Sequence, residues 1–294
     1  MAFTLFIGVC ASLAAAQPPP KAHSTPAPRR IILPPKLIVG APATLAVLDS
    51  QGRLLPNIGV ELPEGQKVTT GVTGRALFKA PDQPGTMLAK ISGLEVHASA
   101  NVLAPDDSSR QLGTGVPPGG VHVLSYPHIV TLHDRFILEG SGFRGAADLN
   151  QVYLNGNPCL VVASSPVSLL ALPGPHVPVG DATLHVTVAG IEAGQFPVTA
   201  VLLEFSGPAE AVNAGSIGEL VVHALGSTEP LLLEVRNGSP GVIELSKGNV
   251  QRLKTSGGEE NIAPVEVKFV TTGNYFVSAR LISRESRRTQ EHAQ

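Results

Sequence analysis

Hydrophobic and polar positions alternate along most of this 294-residue chain, in short runs broken by glycine, proline, asparagine and aspartate. Val265, Val267 and Phe269 are separated by Glu266 and Lys268, and the same period returns from Tyr275 to Leu281. A period of two sends one row of side chains to a dry face and the other to water, so each run reads as a half-buried antiparallel strand. Thr44–Leu48, Asn57–Leu62, Val68–Thr70, Arg75–Phe78, Leu88–Ile91 and Val96–Ala100 are further strands, spaced at roughly 8–12 residues per strand and turn. Leu220–Val222, Leu231–Arg236 and Val242–Leu245 add three more, the last two joined through Asn237–Gly241. No long window shows apolar residues at helical spacing between caps. The 31 glycines and 26 prolines are spread through the chain, as many short strands joined by turns require. The pattern predicts an all-β protein built as a row of β-sandwiches.

Breaks in the alternation predict the boundaries. Phe3 to Ala16 is apolar or small apart from the hydroxyls of Thr4 and Ser12, and Gln17-Pro18-Pro19-Pro20 follows. This is the layout of a secretory signal over Met1–Ala16, too short for the roughly 20 apolar residues of a membrane span. No Lys or Arg precedes the apolar core, which departs from the usual signal. Residues 17–35 are proline-rich and read as an extended linker, with Arg29-Arg30 solvated inside it. Residues 105–120 hold Asp106-Asp107 and Gly113-Thr114-Gly115-Val116-Pro117-Pro118, and read as a flexible linker open to proteases. Arg284 to Gln294 reads as a polar tail.

Three units of strands remain, at 36–104, 121–200 and 201–283. In the first, a strand, the Asp49-Ser50-Gln51-Gly52 turn, Pro56, a second strand and Gly74-Arg75-Ala76-Leu77-Phe78 follow in order. That order resembles bacterial immunoglobulin-like domains of the invasin type, and also the carboxypeptidase regulatory-like sandwich. The second carries Ser125-Tyr126-Pro127, Arg135 to Phe143 with Gly140-Ser141-Gly142, Asn150-Gln151-Val152-Tyr153-Leu154-Asn155-Gly156 and Gly180 to Val188. It resembles an IPT/TIG domain, an immunoglobulin-like fold of plexins, surface receptors, secreted bacterial proteins and Rel-type transcription factors. The third resembles an immunoglobulin-like sandwich without a specific motif. The resemblances imply tandem immunoglobulin-like β-sandwich domains.

Charge and candidate chemistry narrow the function. A formal charge of −2 with 15% charged residues leaves no basic footprint for nucleic acid. With no Trp and three Tyr, the chain lacks the aromatic supply of a conventional sugar-binding platform. Gly140-Ser141-Gly142 is not a nucleophile elbow, because the positions two residues either side of the serine are Glu139 and Phe143. His122, His128 and His133, with Asp134, lack a metal-ligand spacing and are interrupted by Pro127. Neither Asp49-x-x-Gly52 nor Asp106-Asp107 supplies the alternating oxygen ligands of a calcium loop, and Asp49 reads as a turn residue. Gly113-Thr114-Gly115 lacks the downstream glycine of a nucleotide loop. Of the two cysteines, Cys10 falls in the signal and follows Val9, a poor residue for lipidation; Cys159 lies in an apolar run and reads as a core thiol. No catalytic, metal or cofactor site is therefore expected.

The sequence reads as a secreted, periplasmic or cell-surface non-catalytic protein with a structural, adhesive or protein-binding role. The alternative is an accessory or glycan-binding component of an extracellular polysaccharide-processing system. The partner is a protein or a cell-envelope or glycan ligand, and the mature chain has no transmembrane segment. Binding is expected at loops, with Pro173–Gly180 and Ser256–Asn261 the first candidates. Export is checked by intact mass: the mature chain is expected to start at or near Gln17, and a retained Met1 in a cytosolic fraction would sink the compartment assignment.

Overall fold

The computed structural model describes residues 28–105, 120–208 and 213–282. The predicted signal, the stretch 17–27, Asp106-Asp107, Gly113-Thr114-Gly115 and the polar tail lie outside them. The first unit holds β1 (Pro28–Ile32), β2 (Lys36–Ile38), β3 (Pro42–Asp49), β4 (Gly59–Glu61), β5 (Lys67–Thr69), β6 (Arg75–Lys79), β7 (Gly85–Ile91) and β8 (His97–Leu103). β1, β3 and β6 form one sheet and β2-β8-β7-β4-β5 the other. Leu37, Leu45, Val47, Val60 and Met87 fill the space between them.

One boundary changes. Residues 28–35 belong to the fold, not to a linker, because β1 pairs antiparallel with β3 and Ile31, Ile32 and Leu33 are buried. The prolines around them hide a strand: Pro28 sits at its first residue, where a missing N–H is tolerated, and the apolar run behind it fills the core.

The second unit holds β9 (His122–Ser125), β10 (Ile129–Thr131), β11 (Phe136–Ser141), β12 (Asn150–Leu154), β13 (Asn157–Ser165), β14 (Ser168–Leu172), β15 (Gly180–Val188) and β16 (Ile191–Ser206). β13 changes sheets along its length. Asn157–Cys159 pair with β12, and Leu160–Ser165 pair with β14 across a bulge. The third unit holds β17 (Ile217–Leu225), β18 (Leu232–Asn237), β19 (Ile243–Leu245), β20 (Val250–Lys254), β21 (Ile262–Phe269) and β22 (Val277–Leu281). β17, β21 and β19 continue from β16 in one sheet, and β20-β18-β22 face them in the other. Each unit closes two sheets over a separate apolar core. The chain is all-β, with tandem immunoglobulin-like sandwiches.

The units are joined in two ways. β16 serves the second and the third: Ile191–Ala200 pair with β15, and Leu202–Ser206 pair with β17. Where the strand passes between them, Gly226 (φ +93°) lies against Gly180 and Val179, and a Cβ there would meet backbone. The first and second units, expected as separable bodies on a flexible linker, instead share an interface. Ala43 to Asp49 and Val161 to Ser165 are buried without a break, which an alternating strand exposed on one side cannot be. Ile32, Ala46, Leu48, Val162 and Ala163 form a fourth apolar cluster between the units.

Polar groups pin this contact. Thr44 Oγ1 and Ser164 Oγ both donate to the Gly145 carbonyl, at 2.6 and 2.7 Å. Gly145 is glycine because the Pro42 backbone occupies the place of a Cβ. Arg75, 11% exposed, donates to the Val161 carbonyl (3.0 Å) and pairs with Asp148 (2.6 Å). Lys36 pairs with Glu139 at 2.8 Å, and Ser165 Oγ donates to the Lys36 carbonyl. A protease site engineered into 106–119 is expected to cut the chain without separating the units on gel filtration. Thr44→Val should cost about 1–2 kcal/mol in a denaturant melt, because Ala147 N–H loses its acceptor. Independent elution of the fragments would refute the rigid connection.

Candidate functional site

The residues singled out in the sequence are scattered. Gly140-Ser141-Gly142 ends β11, where Ser141 stands opposite His122 of β9. Ser141 Oγ and His122 Nε2 are both buried without a hydrogen-bond partner among the described residues, so they do not bond to each other. His128 is exposed, with its ring 5.2 Å from that of Tyr126, and His133 lies in the exposed turn before β11. Asp134 accepts the Arg135 N–H. Among the described residues no three His, Cys, Asp or Glu side chains gather to hold a metal ion.

Asp49 closes its own turn, accepting the N–H groups of Gln51 and Arg53 (2.8 and 2.9 Å) and pairing with the Arg53 guanidinium (2.7 Å). Burial works to raise its pKa, but the Arg53 bonds and charge and the Gln51 N–H hold it below the ordinary carboxylate value. Cys159 is half-buried where β13 leaves one sheet for the other. Burial pushes its thiol up to about 11, against a smaller lowering by the Gly174 N–H.

The loops offered for binding carry structural contacts. Pro173–Gly180 ends at Val179 and Gly180, packed against Gly226. Ser256–Asn261 is stitched to the β17–β18 connection. Asn261, buried, donates to the carbonyls of Ser227 and Glu229 (2.8 Å each), and Gly258 N–H donates to Thr228. Both loops therefore contact the same connection between β17 and β18, the first at Gly226 and the second at Ser227–Glu229.

The third unit holds what the sequence reading missed. Tyr126 packs on Phe196 (4.9 Å between centroids) and Tyr153 stacks on His185 (5.7 Å), both within the second unit. Tyr275 and Phe276 are different: they are consecutive, 38% and 64% exposed, and the only exposed large aromatics among the described residues. With Phe205, Gly207 and Leu220 they line an open groove of about 220 Å³ between the end of β16 and the start of β22. Tyr275 leans edge-on against Phe269, which anchors one side. The signal was present in the alternation. Tyr275, Val277, Ala279 and Leu281 occupy one row, so Phe276 falls in the polar row with Ser278 and Arg280.

Next to the groove, Ser206 Oγ and His223 Nε2 are hydrogen-bonded at 2.7 Å. Glu204 faces His223 in the ladder, yet no hydrogen bond joins them among the described residues. A serine activated for attack also needs an oriented base and preorganised donors for the developing oxyanion. This serine is exposed on a sheet surface. On the outer face of β18, Glu234 is buried between Arg236 (2.7 Å) and Arg280 (2.8 Å). The Arg236 bond, opposed by burial and helped by Arg280, keeps its carboxyl below the ordinary range.

Neither a family model nor a curated protein matches the chain. Among solved structures, SGBP-B of the Bacteroides ovatus mixed-linkage glucan utilization locus, in complex with a mixed-linkage heptasaccharide, is 14% identical. That match covers 92% of this chain and 63% of that one, with a TM-score of 0.23. Sidekick-1 immunoglobulin domains 1–5 are 12% identical over 81% of this chain and 58% of theirs, with a TM-score of 0.25. The S-layer protein SbsC is 13% identical over 89% and 40%, with a TM-score of 0.20. The chain spans less than two thirds of the length of each. The fold assignment above rests on the strand pairing of this chain.

The Cys159 thiol generates a pH prediction. Its folded pKa lies above the ordinary 9.0, so the native state holds the proton longer than the unfolded chain does. Its contribution to stability is present below pH 9.0 and is lost as pH rises through about 11. Melting temperatures across that window should fall more steeply for the wild type than for Cys159→Ala. Alkylation of the folded protein near about pH 8 should be slow. Rapid alkylation there, or parallel melting curves, would remove the shielded-thiol reading.

Proposed function

We propose that this chain is a non-catalytic, exported surface protein whose immunoglobulin-like units form a stiff scaffold for adhesion or for binding a protein partner. The supporting observation is the pair of junctions. A strand shared by two units and an interface sealed by the Gly145 carbonyl hold all three units in fixed relation. Stiff presentation suits a protein that must hold a binding surface at a set distance and angle. The division at 36–104, 121–200 and 201–283, with the first unit extended back to Pro28, and the IPT/TIG character of the second unit belong to this reading. No helix among the described residues is long and apolar enough to cross a membrane.

A second reading, a glycan-binding accessory of an extracellular polysaccharide-processing system, is favoured by the exposed Tyr275-Phe276 pair. An aromatic face beside hydroxyl and imidazole groups is the surface on which a sugar ring stacks. The two readings separate on a glycan array and a pull-down against envelope fractions, each run with wild type and Phe276→Ser. Protein binding alone supports the first, and glycan signal lost in the variant supports the second. Purified protein should show no turnover of ester, peptide or glycosidic substrates. Turnover abolished by Ser206→Ala or His223→Ala, in variants that melt normally, would overturn the non-catalytic reading.

A further inference from the structure

Among the described residues, the second sheet of the third unit has a free edge. β22 pairs with β18 and with no other strand among the described residues. Gly238 N–H donates to the Phe276 carbonyl and Ile282 N–H to the Leu232 carbonyl, so even-numbered residues point their main-chain groups at β18. Val277, Ala279 and Leu281 therefore point theirs away from the sheet. The side chains of the same three residues face the core, in register with Asn237, Val235 and Leu233. Val235 and Leu233 are fully buried, whereas Val277, Ala279 and Leu281 are only half-buried. The core of this unit is uncovered along one line, and the aromatic groove continues that line.

Edges are usually protected by charge, proline, brevity or a bulge. The opposite edge of the same sheet, β20, carries Arg252 and Lys254, and β5 of the first unit carries Lys67. β22 has no proline or bulge, and its one charge, Arg280, lies in the outward row. Among the described residues, that outward face also holds Arg236 and Lys254 beside Arg280, with Glu234 buried between Arg236 and Arg280, so positive charge is in excess there.

We propose that the β22 edge accepts an added strand from a partner protein: an extended segment with apolar residues at alternate positions and Asp or Glu between them. Its apolar row would cover Val277, Ala279 and Leu281 and reach into the groove at Phe276. Its acidic row would lie beside Arg280. Main-chain hydrogen bonds would supply affinity, and the alternating side chains specificity. Residues 283–294 do not fit this role. Ala293 is their only apolar residue, so they supply no alternating apolar row to cover Val277, Ala279 and Leu281. The inference rests on the protein-binding reading above and names the chemistry of its partner.

The test uses the full chain and a capped, labelled peptide of about six residues alternating valine and glutamate, followed by fluorescence anisotropy. Saturable binding is expected, and a valine–lysine peptide should bind about tenfold more weakly. Ala279→Pro removes an outward-facing N–H without touching the β18 ladder, so it should abolish binding while the protein melts normally. Methylating the peptide nitrogens that face β22 makes the same cut from the other side and leaves the protein unaltered. The proposal is overturned by absence of saturation up to about 1 mM, or by binding indifferent to peptide methylation. Binding seen only after truncation behind Ile282 would make the chain's own tail the occupant. A dimer abolished by Ala279→Pro would make it a second copy. Turnover assays fail or succeed independently of all these outcomes.

Discussion

The Gly145 carbonyl is the point on which the arrangement of the first two units depends. It accepts hydroxyls from both sides of the interface, Thr44 from β3 and Ser164 from β13. Both hydroxyls are buried, so without this acceptor each would cost about 1–3 kcal/mol of unmet desolvation. The penalty makes the interface selective for one register. Ser164 pairs with Thr44 between strands, and a slip by one residue would bring an apolar neighbour to the carbonyl and turn a hydroxyl into a core. The apolar cluster of Ile32, Ala46, Leu48 and Val162 supplies attraction but no register of its own. Attraction is apolar, and alignment is polar.

The second junction works by covalent continuity. A single strand cannot bend freely between two sheets that both hydrogen-bond to it, so β16 transmits the orientation of one sandwich to the next. Small sandwiches of this size bury a modest share of their surface and are marginal alone. Sharing strands and faces lets each unit borrow burial from its neighbour. The seven-residue buried run of β3 is one product of that arrangement, since one row serves the first unit's core and the other serves the interface.

The fold class was legible in the sequence because period-two alternation is a local property. β21 and β22 sit where Val265–Phe269 and Tyr275–Leu281 alternate, and β17 where the apolar run Leu220–Val222 reads as a strand. What depended on tertiary contact was not legible in the same way. β1 lay hidden among prolines, since composition outweighed the run Ile31-Ile32-Leu33. The two-sided burial of Leu45–Leu48 and Val161–Val162 was visible as unbroken apolar stretches, but such runs read equally as a strand between two layers of one domain. The loops at Pro173–Gly180 and Ser256–Asn261 looked polar and free, whereas Asn261 spends its side chain on the neighbouring connection. Phe276 was legible in principle, as the one aromatic on the polar row of its strand.

The same reasoning separates the two chemically suggestive spots of the third unit. A serine–histidine contact gains catalytic value from a dry, preorganised setting, where hydrogen bonds to a developing charge are strong. Ser206 is exposed on a sheet face, so its bond to His223 lacks that dry setting. An unpaired strand edge gains value in the opposite way. Its main-chain groups already lie in line, and the half-buried row of Val277, Ala279 and Leu281 stands ready to exclude water once a neighbour is added. Under the proposed strand addition, the groups that are already aligned in this unit are those of the β22 edge.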